Sequence, residues 1–502
     1  MKLAVDLRPA LYLIGIIIKW AGLTFIAPLV VALISKENLL PFVVPLIVTV
    51  GIGFGVEQLT KTEREIGVRE GFLVVSLVWL LLSFFGGLPY VLADVLSPLD
   101  AYFETMSGFT TTGATVLRDI EAQTRSLLFW RGFTQWLGGM GVIVLAVAIL
   151  PKLAVGGTQL MDLEAPGPSL ERLTPRIRYT ARRLWMIYFA LTMLEIVLLI
   201  ATGMRPYDAA THTFATLSTG GFSPKAQSIA AFGTVSQWII ILFMLLGGTN
   251  FNLLDRVIEP LRAAVRAIKG RGKASFTTTW LWRDEEFLFY LFIIAASTLV
   301  LLLAIKKAYA TLGEGLRASA FQVVSIMTTT GFASSDFDAW SSTAKMILLT
   351  LMFFGGCAGS TGGSIKVIRS LLIFKFILRE IRKVIHPQAV IPIRLSGRAV
   401  DEDVIKAIAV FAILYVTIFA WGSVLILLDA ARAGMNLEIL DGVSAVAATL
   451  GNVGPGFGMV GPMGSYADFP ATSKILLIFF MWLGRLEIFP VIVLLTKSYW
   501  LS

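Results

Sequence analysis

The stretch FETMSGFTTTGATV, residues 103–116, decides how this chain is read. It holds threonines and glycines without a cluster of charges or histidines, and it lies between apolar runs at 71–92 and 127–150. So polar and short a segment cannot span lipid, and non-helical backbone survives at membrane depth only inside protein or against water. Its surroundings are those of a membrane protein. Of 502 residues, 56% are hydrophobic and only 15% charged, where a soluble domain carries about 25%; the mean hydropathy is +0.79. Further runs at 11–35, 39–56, 184–203, 238–254, 287–303, 344–376, 404–428 and 473–499 raise the expected number of spans to about ten, measured against the roughly 17 residues a bilayer-crossing helix needs. No small-residue cleavage signature follows the first run, which is therefore read as a retained helix. The single cysteine, Cys357, excludes an intrachain disulfide.

The net charge of +9 is gathered in alternate loops. Lys61, Arg64 and Arg69 form one group; Arg172, Arg176, Arg178, Arg182 and Arg183 a second; Arg262, Arg266, Lys269, Arg271, Lys273 and Arg283 a third; Arg379, Arg382, Lys383, Arg394 and Arg398 a fourth. The positive-inside rule makes these loops cytoplasmic and puts both termini inside. The intervening loops carry Asp94, Asp100, Glu104, Asp119, Glu121, Asp336, Asp338 and Asp441 and face outward, where they attract cations. Topology and contact with lipid headgroups account for the basic residues, and nucleic acid is not needed as a partner.

The opening stretch has relatives within the chain. TTTGAT, with Gly113, aligns with LSTGGF at Gly221, MTTTGF at Gly331 and LGNVGP at Gly454, roughly every 110 to 120 residues. Asp100, Asp208 and Asp441 stand at one distance before their glycines and suit helix N-caps; Ala318 holds that place in the third copy, whose cap must come from elsewhere. Glycine pairs follow at Gly138-Gly139, Gly247-Gly248 and Gly355-Gly356, with Gly484 as the fourth counterpart. The expected fold is an all-α polytopic membrane protein: an N-terminal helix pair over 1–70, then four repeats of outer helix, pore helix, polar loop and inner helix over 71–183, 184–286, 287–403 and 404–502. Four such loops meeting on a pseudo-fourfold axis would present their main-chain carbonyls to one another, and rings of carbonyls replace the hydration shell of a potassium ion. The side chains need only be small and permissive, and the pore helices add the negative ends of their dipoles.

The residues FTTTGATV (109–116), WLGGMGVIVLAVAILP (136–151), GGCAGSTGGSIKVIR (355–369) and GRLEIF (484–489) resemble the Trk/Ktr/HKT superfamily of cation transporters. The two helices before the repeats resemble its TrkH branch, the membrane subunit of bacterial Trk-type potassium uptake systems. The resemblance implies potassium, bound through backbone carbonyls, at a filter of Thr111, Thr112 and Gly113; Thr219, Gly220 and Gly221; Thr329, Thr330 and Gly331; and Asn452, Val453 and Gly454. Glycine at 113, rather than the serine of some plant relatives, implies potassium over sodium. It further implies a bacterial inner-membrane homodimer without a bound cofactor, controlled by a cytoplasmic nucleotide-binding ring of the TrkA type that docks on the basic loops at 256–283 and 379–398.

Five glycines within nine residues, at about 1 kcal/mol each relative to alanine, should break the third inner helix. The resemblance makes the resulting loop an intramembrane gate: Gly355, Gly356, Gly359, Ser360, Thr361, Gly362 and Gly363, with close helix packing through small residues as the alternative. Arg485 reads as a charge within an apolar helix, costly unless it faces a cavity or a partner; the resemblance puts it beneath the filter beside the gate, and an ion pair with an acid is the alternative. Glu487 is expected on another helix face. Arg131 and Gln135 fall near a helix end, where snorkelling accounts for them, His212 reads as a helix-surface residue, and Asn250 and Asn252 either line the inner vestibule or bond between helices. No enzyme is expected, because two histidines and one cysteine cannot build the common dyads or zinc sites. A membrane potential supplies about 2.3 kcal/mol per charge per 100 mV, so passive uptake suffices; a proton- or ion-coupled potassium symporter is the alternative.

Overall fold

The computed structural model describes residues 5–64, 66–148, 173–257 and 283–501. The basic residues expected at Arg172 and from Arg262 to Lys273 lie outside them. Among the described residues the chain is predominantly helical, with one short antiparallel hairpin, Arg394–Leu395 (β1) against Arg398–Ala399 (β2).

Among the described residues, six helical spans are long and apolar enough to cross a membrane: Leu7–Ser35, Leu40–Thr60, Val68–Leu92, Tyr179–Ala201, Glu285–Ala308 and Glu402–Arg432. Of the four expected runs not among them, the one at 127–150 forms a continuous helix, Arg125–Ala148, and the other three are broken. The run at 238–254 bends by 107° between Thr234–Gly247 and Phe251–Val257. The run at 344–376 divides into Ser342–Leu351 and Val367–Ile385, and that at 473–499 into Ala471–Arg485, Phe489–Leu494 and Lys497–Trp500. The break in the third inner helix was legible in its glycines, but those in the second and fourth were not expected.

In chain order the helices are α1 (Leu7–Gly22), α2 (Ile26–Ser35), α3 (Leu40–Thr60), α4 (Val68–Leu92), α5 (Pro98–Phe109), α6 (Arg125–Ala148), α7 (Leu173–Ala201), α8 (Pro206–Leu217), α9 (Thr234–Gly247), α10 (Phe251–Val257), α11 (Glu285–Ile305), α12 (Leu312–Met327), α13 (Ser342–Leu351), α14 (Val367–Ile385), α15 (Glu402–Arg432), α16 (Ile439–Leu450), α17 (Ala471–Arg485), α18 (Phe489–Leu494) and α19 (Lys497–Trp500). The first pair, α1 and α3, approaches closely because a Cβ on Gly15 would stand 2.6 Å from the Glu57 nitrogen, the small-residue packing that membrane helices favour.

The short helices α5, α8, α12 and α16 each pack on the long helix before them: α4, α7, α11 and α15. They also pack onward, α6 against α8, α9 against α12 and α17 against α5. Such contacts carry the last quarter of the chain back to the first and gather the short helices around a common centre. Their caps differ from the expectation. Ser97, Arg205 and Glu438 occupy the N-cap positions, so that Asp100, Asp208 and Asp441 fall in the first helical turn. There a carboxylate still complements the helix dipole. The third short helix starts earlier than its relatives, and its cap is Thr311, whose side chain accepts from the Glu314 N–H.

Candidate functional site

Each short helix ends where a polar loop begins, and the four loops share one backbone path. Thr111, Thr219, Thr329 and Asn452 have φ of 50°, 54°, 59° and 53°, a left-handed conformation that β-branched residues rarely adopt. Two residues on, Gly113, Gly221, Gly331 and Gly454 have φ of 86°, 77°, 77° and 99°, which glycine alone adopts readily. Between them, the N–H groups of Thr112, Gly220, Thr330 and Val453 turn back to donate to Ser107, Ala215, Ser325 and Ala448 of the preceding helix, at 2.8, 2.8, 2.8 and 2.7 Å. With each N–H drawn toward its own helix, the carbonyls are left for other partners.

The loops also touch in cyclic order. A Cβ built on Gly113 would meet the Gly220 carbonyl oxygen, one on Gly221 the Thr330 oxygen, one on Gly331 the Val453 oxygen, and one on Gly454 the Thr112 oxygen. Every glycine therefore lies against the carbonyl that precedes the glycine of the next loop, and the fourth loop closes on the first. The residues expected at the filter are brought together, all twelve in one ring.

Side-chain support differs around the ring. In the first and third loops a threonine pair bonds across the turn, Thr110 to Thr112 and Thr328 to Thr330, both at 2.7 Å. The fourth loop lacks that pair. There the Asn452 amide donates to Thr112 Oγ1 at 3.0 Å and to the Met481 carbonyl at 2.9 Å, while the Tyr466 hydroxyl donates to the Gly454 carbonyl at 2.8 Å.

A second loop, residues 355–366, lies against this ring. Its neck is closed by the Gly355 N–H to the Ile365 carbonyl at 2.8 Å and the Val367 N–H to the Gly356 carbonyl at 3.1 Å. One side enters the bend between α9 and α10, where the Cys357 N–H donates to the Gly248 carbonyl at 2.8 Å and the Thr361 N–H to Gly247 at 3.3 Å. The tip reaches the left-handed residues of the ring: Gly363 N–H donates to Thr329 Oγ1 at 2.7 Å, and Thr219 Oγ1 bonds Thr361 Oγ1 at 3.3 Å. A Cβ on Gly363 would stand 2.9 Å from Cβ of Asn452. Ser360 bonds back to the Cys357 carbonyl at 2.6 Å, Lys366 reaches the Gly362 carbonyl, and Gly359 takes a φ of 71° beside Asn250. Asn250 and Asn252 line a cavity of about 250 Å³ with Arg256, Arg283 and Glu286, and Glu286 accepts from the Ala358 N–H at 2.6 Å.

Arg485 is the last residue of α17, not an interior one. It is 4% exposed and donates through Nη1 to the Thr361 carbonyl at 2.8 Å, so it holds the tip of the 355–366 loop. Glu487 lies in the break after α17 and pairs with Arg369 rather than with Arg485.

Three sequence readings are corrected. Arg131 and Gln135 do not snorkel: both are buried within α6. Arg131 Nε donates to Glu104 at 2.6 Å, its Nη1 to the Ser223 carbonyl at 2.8 Å, and its guanidinium stands 3.7 Å over the Phe222 ring. Gln135 donates to the Gly220 carbonyl at 2.6 Å and accepts from the Phe222 N–H at 3.0 Å. His212 is buried rather than at a helix surface, bonded to the Asp208 carbonyl at 2.7 Å and to Ser223 Oγ at 2.9 Å. Sequence reasoning missed these supports because, apart from the Asp208 carbonyl, their partners lie on other elements. The one available signal was the pairing of two polar residues, Arg131 and Gln135, at i and i+4 on a single helix face. Within the fourth basic group, Arg379 is engaged by Glu402 and Glu380 of its own chain.

The chain matches the family model TrkH, described as a cation transport protein, over residues 42–500. It is 38% identical over 503 residues to the Trk system potassium uptake protein TrkH of Halomonas elongata, with 99% of each chain covered. It is 37% identical over 498 residues to the protein of that name from Escherichia coli strain K12, covering 97% of this chain and 98% of the other. The crystal structure of the potassium transporter TrkH from Vibrio parahaemolyticus superimposes with a TM-score of 0.86 at 35% identity, over 99% of this chain and 100% of that one.

Proposed function

The chain belongs to the TrkH family of cation transport proteins, and from that premise we propose that it carries potassium across a bacterial inner membrane along a path whose selective element is the ring of four loops. The observation that carries this reading is the cyclic contact of each ring glycine with the next loop's carbonyl. Four backbone turns of the same shape would supply the carbonyl oxygens that replace a potassium ion's hydration shell, and the C-termini of the four short helices that lead into the loops add partial negative charge. The segments 71–183, 184–286, 287–403 and 404–502 then act as one pore repeat each, behind the N-terminal pair 1–70.

The loop at 355–366 acts as the gate. It is hydrogen-bonded to Thr219 and Thr329 at the base of the ring and to Arg485 beneath it, and its withdrawal would open the path. A cytoplasmic nucleotide-binding ring of the TrkA type controls it, and the transporter works as a homodimer. The membrane potential drives uptake at about 2.3 kcal/mol per charge per 100 mV, without a coupling ion.

Purified protein in liposomes holding a potassium diffusion potential provides the test. Rubidium should enter passively, and Gly113→Ser should weaken discrimination between rubidium and sodium. An unchanged ratio in folded G113S overturns the filter assignment, and strict dependence of flux on a proton or sodium gradient overturns passive uptake in favour of a symporter.

A further inference from the structure

The second loop of the ring differs from the others in a way that points to one residue outside it. At the position before the ring glycine, the loops carry Thr112, Gly220, Thr330 and Val453. Gly220 has no positive φ, so its backbone does not require glycine. Space does. A Cβ there would run into the side-chain amide of Gln135, with Oε1 at 2.7 Å and Nε2 at 2.8 Å.

Gln135 is fully buried, and both ends of its amide are used on this loop: Nε2 donates to the Gly220 carbonyl at 2.6 Å and Oε1 accepts from the Phe222 N–H at 3.0 Å. The other inner helices carry methionine at the matching place. Met244, Met352 and Met481 each stand three residues before Gly247, Gly355 and Gly484, as Gln135 stands before Gly138. The one inner helix with an amide is thus the one that faces the one loop lacking a side chain at this position.

We propose that Gln135 is a specificity-determining positioning residue of the ion path: its amide occupies the place of the missing loop side chain and pins the Gly220 carbonyl at the radius that suits potassium. A carbonyl oxygen has two lone pairs, so one can bond Gln135 while the other remains for an ion. Sodium, being smaller, requires the oxygens to close inward. A carbonyl tethered from behind resists that movement, and the tether therefore favours the larger ion. The proposal rests on the ring being the selective element.

The test measures the ratio of rubidium to sodium flux in proteoliposomes for wild type, Gln135→Met and Gly113→Ser. Q135M fills the same volume with the residue the other repeats use and removes both bonds to the loop. It should lower the ratio about tenfold, equivalent to ~1.4 kcal/mol, with an unchanged elution profile, while the Phe222 N–H it leaves unpaired lowers the melting temperature modestly. A wild-type ratio in Q135M beside a lowered ratio in G113S would make Gln135 a packing residue and overturn the proposal while leaving the filter intact. Unchanged ratios in both would overturn the filter reading and the proposal with it. A second pair protects against misfolding of Q135M: Gly220→Thr alone should lose flux, and Gln135→Ala combined with Gly220→Thr should regain it. A folded double variant without recovery overturns the exchange of amide for side chain.

Discussion

Replacing Glu104 by alanine should be among the most damaging single changes outside the ring. Its carboxylate is fully buried and holds three donors: Arg131 Nε at 2.6 Å, the Val116 N–H at 2.8 Å, and the Thr115 hydroxyl, whose Oγ1 is 3.0 Å from each oxygen. Arg131, only 3% exposed, has no water to turn to when its partner is gone. Deleting one member of a buried pair costs about 3–5 kcal/mol, most of it from the charge left behind. The loss is directional as well, because Glu104 fixes the segment after the first ring loop while Arg131 holds Phe222 and Ser223 after the second. A double-mutant cycle measures it: Glu104→Ala, Arg131→Met and the combination, each unfolded reversibly in detergent. The coupling should be about 2–3 kcal/mol, the upper end for contacting residues, with the double variant more stable than E104A alone. Coupling below ~0.5 kcal/mol would refute the view that this pair ties the two loops together.

Two further outcomes follow from the contacts around the ring. Thr329→Val removes the acceptor for the Gly363 N–H, and a buried donor left unsatisfied costs about 1–3 kcal/mol; the 355–366 loop should leave its seat more often and resting rubidium flux should rise about tenfold or more, whereas flux at or below wild type argues against this loop as the gate. Outside the spans, burial by itself would raise the Asp338 carboxyl, but bonds from Lys345 at 2.7 Å and the Gly458 N–H at 3.0 Å bring it below its ordinary value of 3.8. Its stabilisation is therefore present above that ordinary value and lost as pH falls through the lowered one. Asp338→Asn should melt below wild type at neutral pH and converge with it in acid; a gap that widens on acidification contradicts the assignment.

What could be read from the chain and what could not divide along a physical line. The spacing of Gly113, Gly221, Gly331 and Gly454 exposed the ring because each loop needs the same two left-handed backbone positions, and only a few residue types tolerate them. The glycines at 355–363 exposed the broken helix through their low helix propensity, and one of them, Gly359, also takes a positive φ. Local conformational demand leaves a mark on local composition. Tertiary hydrogen bonds do not: nothing near Arg131 in the sequence announces Glu104, which lies on another helix. Chain breaks after Gly247 and Arg485 were hidden in another way. The first is stabilised by bonds from the inserted loop, Cys357 N–H to Gly248 and Thr361 N–H to Gly247, which no pattern within 238–254 could reveal.

The ring also explains how sequence divergence coexists with a conserved geometry inside one molecule. The first and third loops keep the hydroxyl pairs of TTTG. The second gives up its side chain and is held by Gln135; the fourth replaces threonine with Asn452 and Val453 and is held through the Asn452 amide and Tyr466. Where the loop's own hydroxyls are lost, a neighbouring amide or phenol takes over a backbone or side-chain bond of the ring. At the first left-handed position of all four loops φ stays within a narrow range, from 50° to 59°. Under the proposed function, an ion coordinated by main-chain oxygens would sense that backbone rather than the side chains behind it, so that transport would constrain the curvature of each loop and leave the means of holding it free to differ. Selectivity in such a ring should consequently be more sensitive to the supports of the second and fourth loops, where one outside residue carries what a self-contained turn supplies elsewhere.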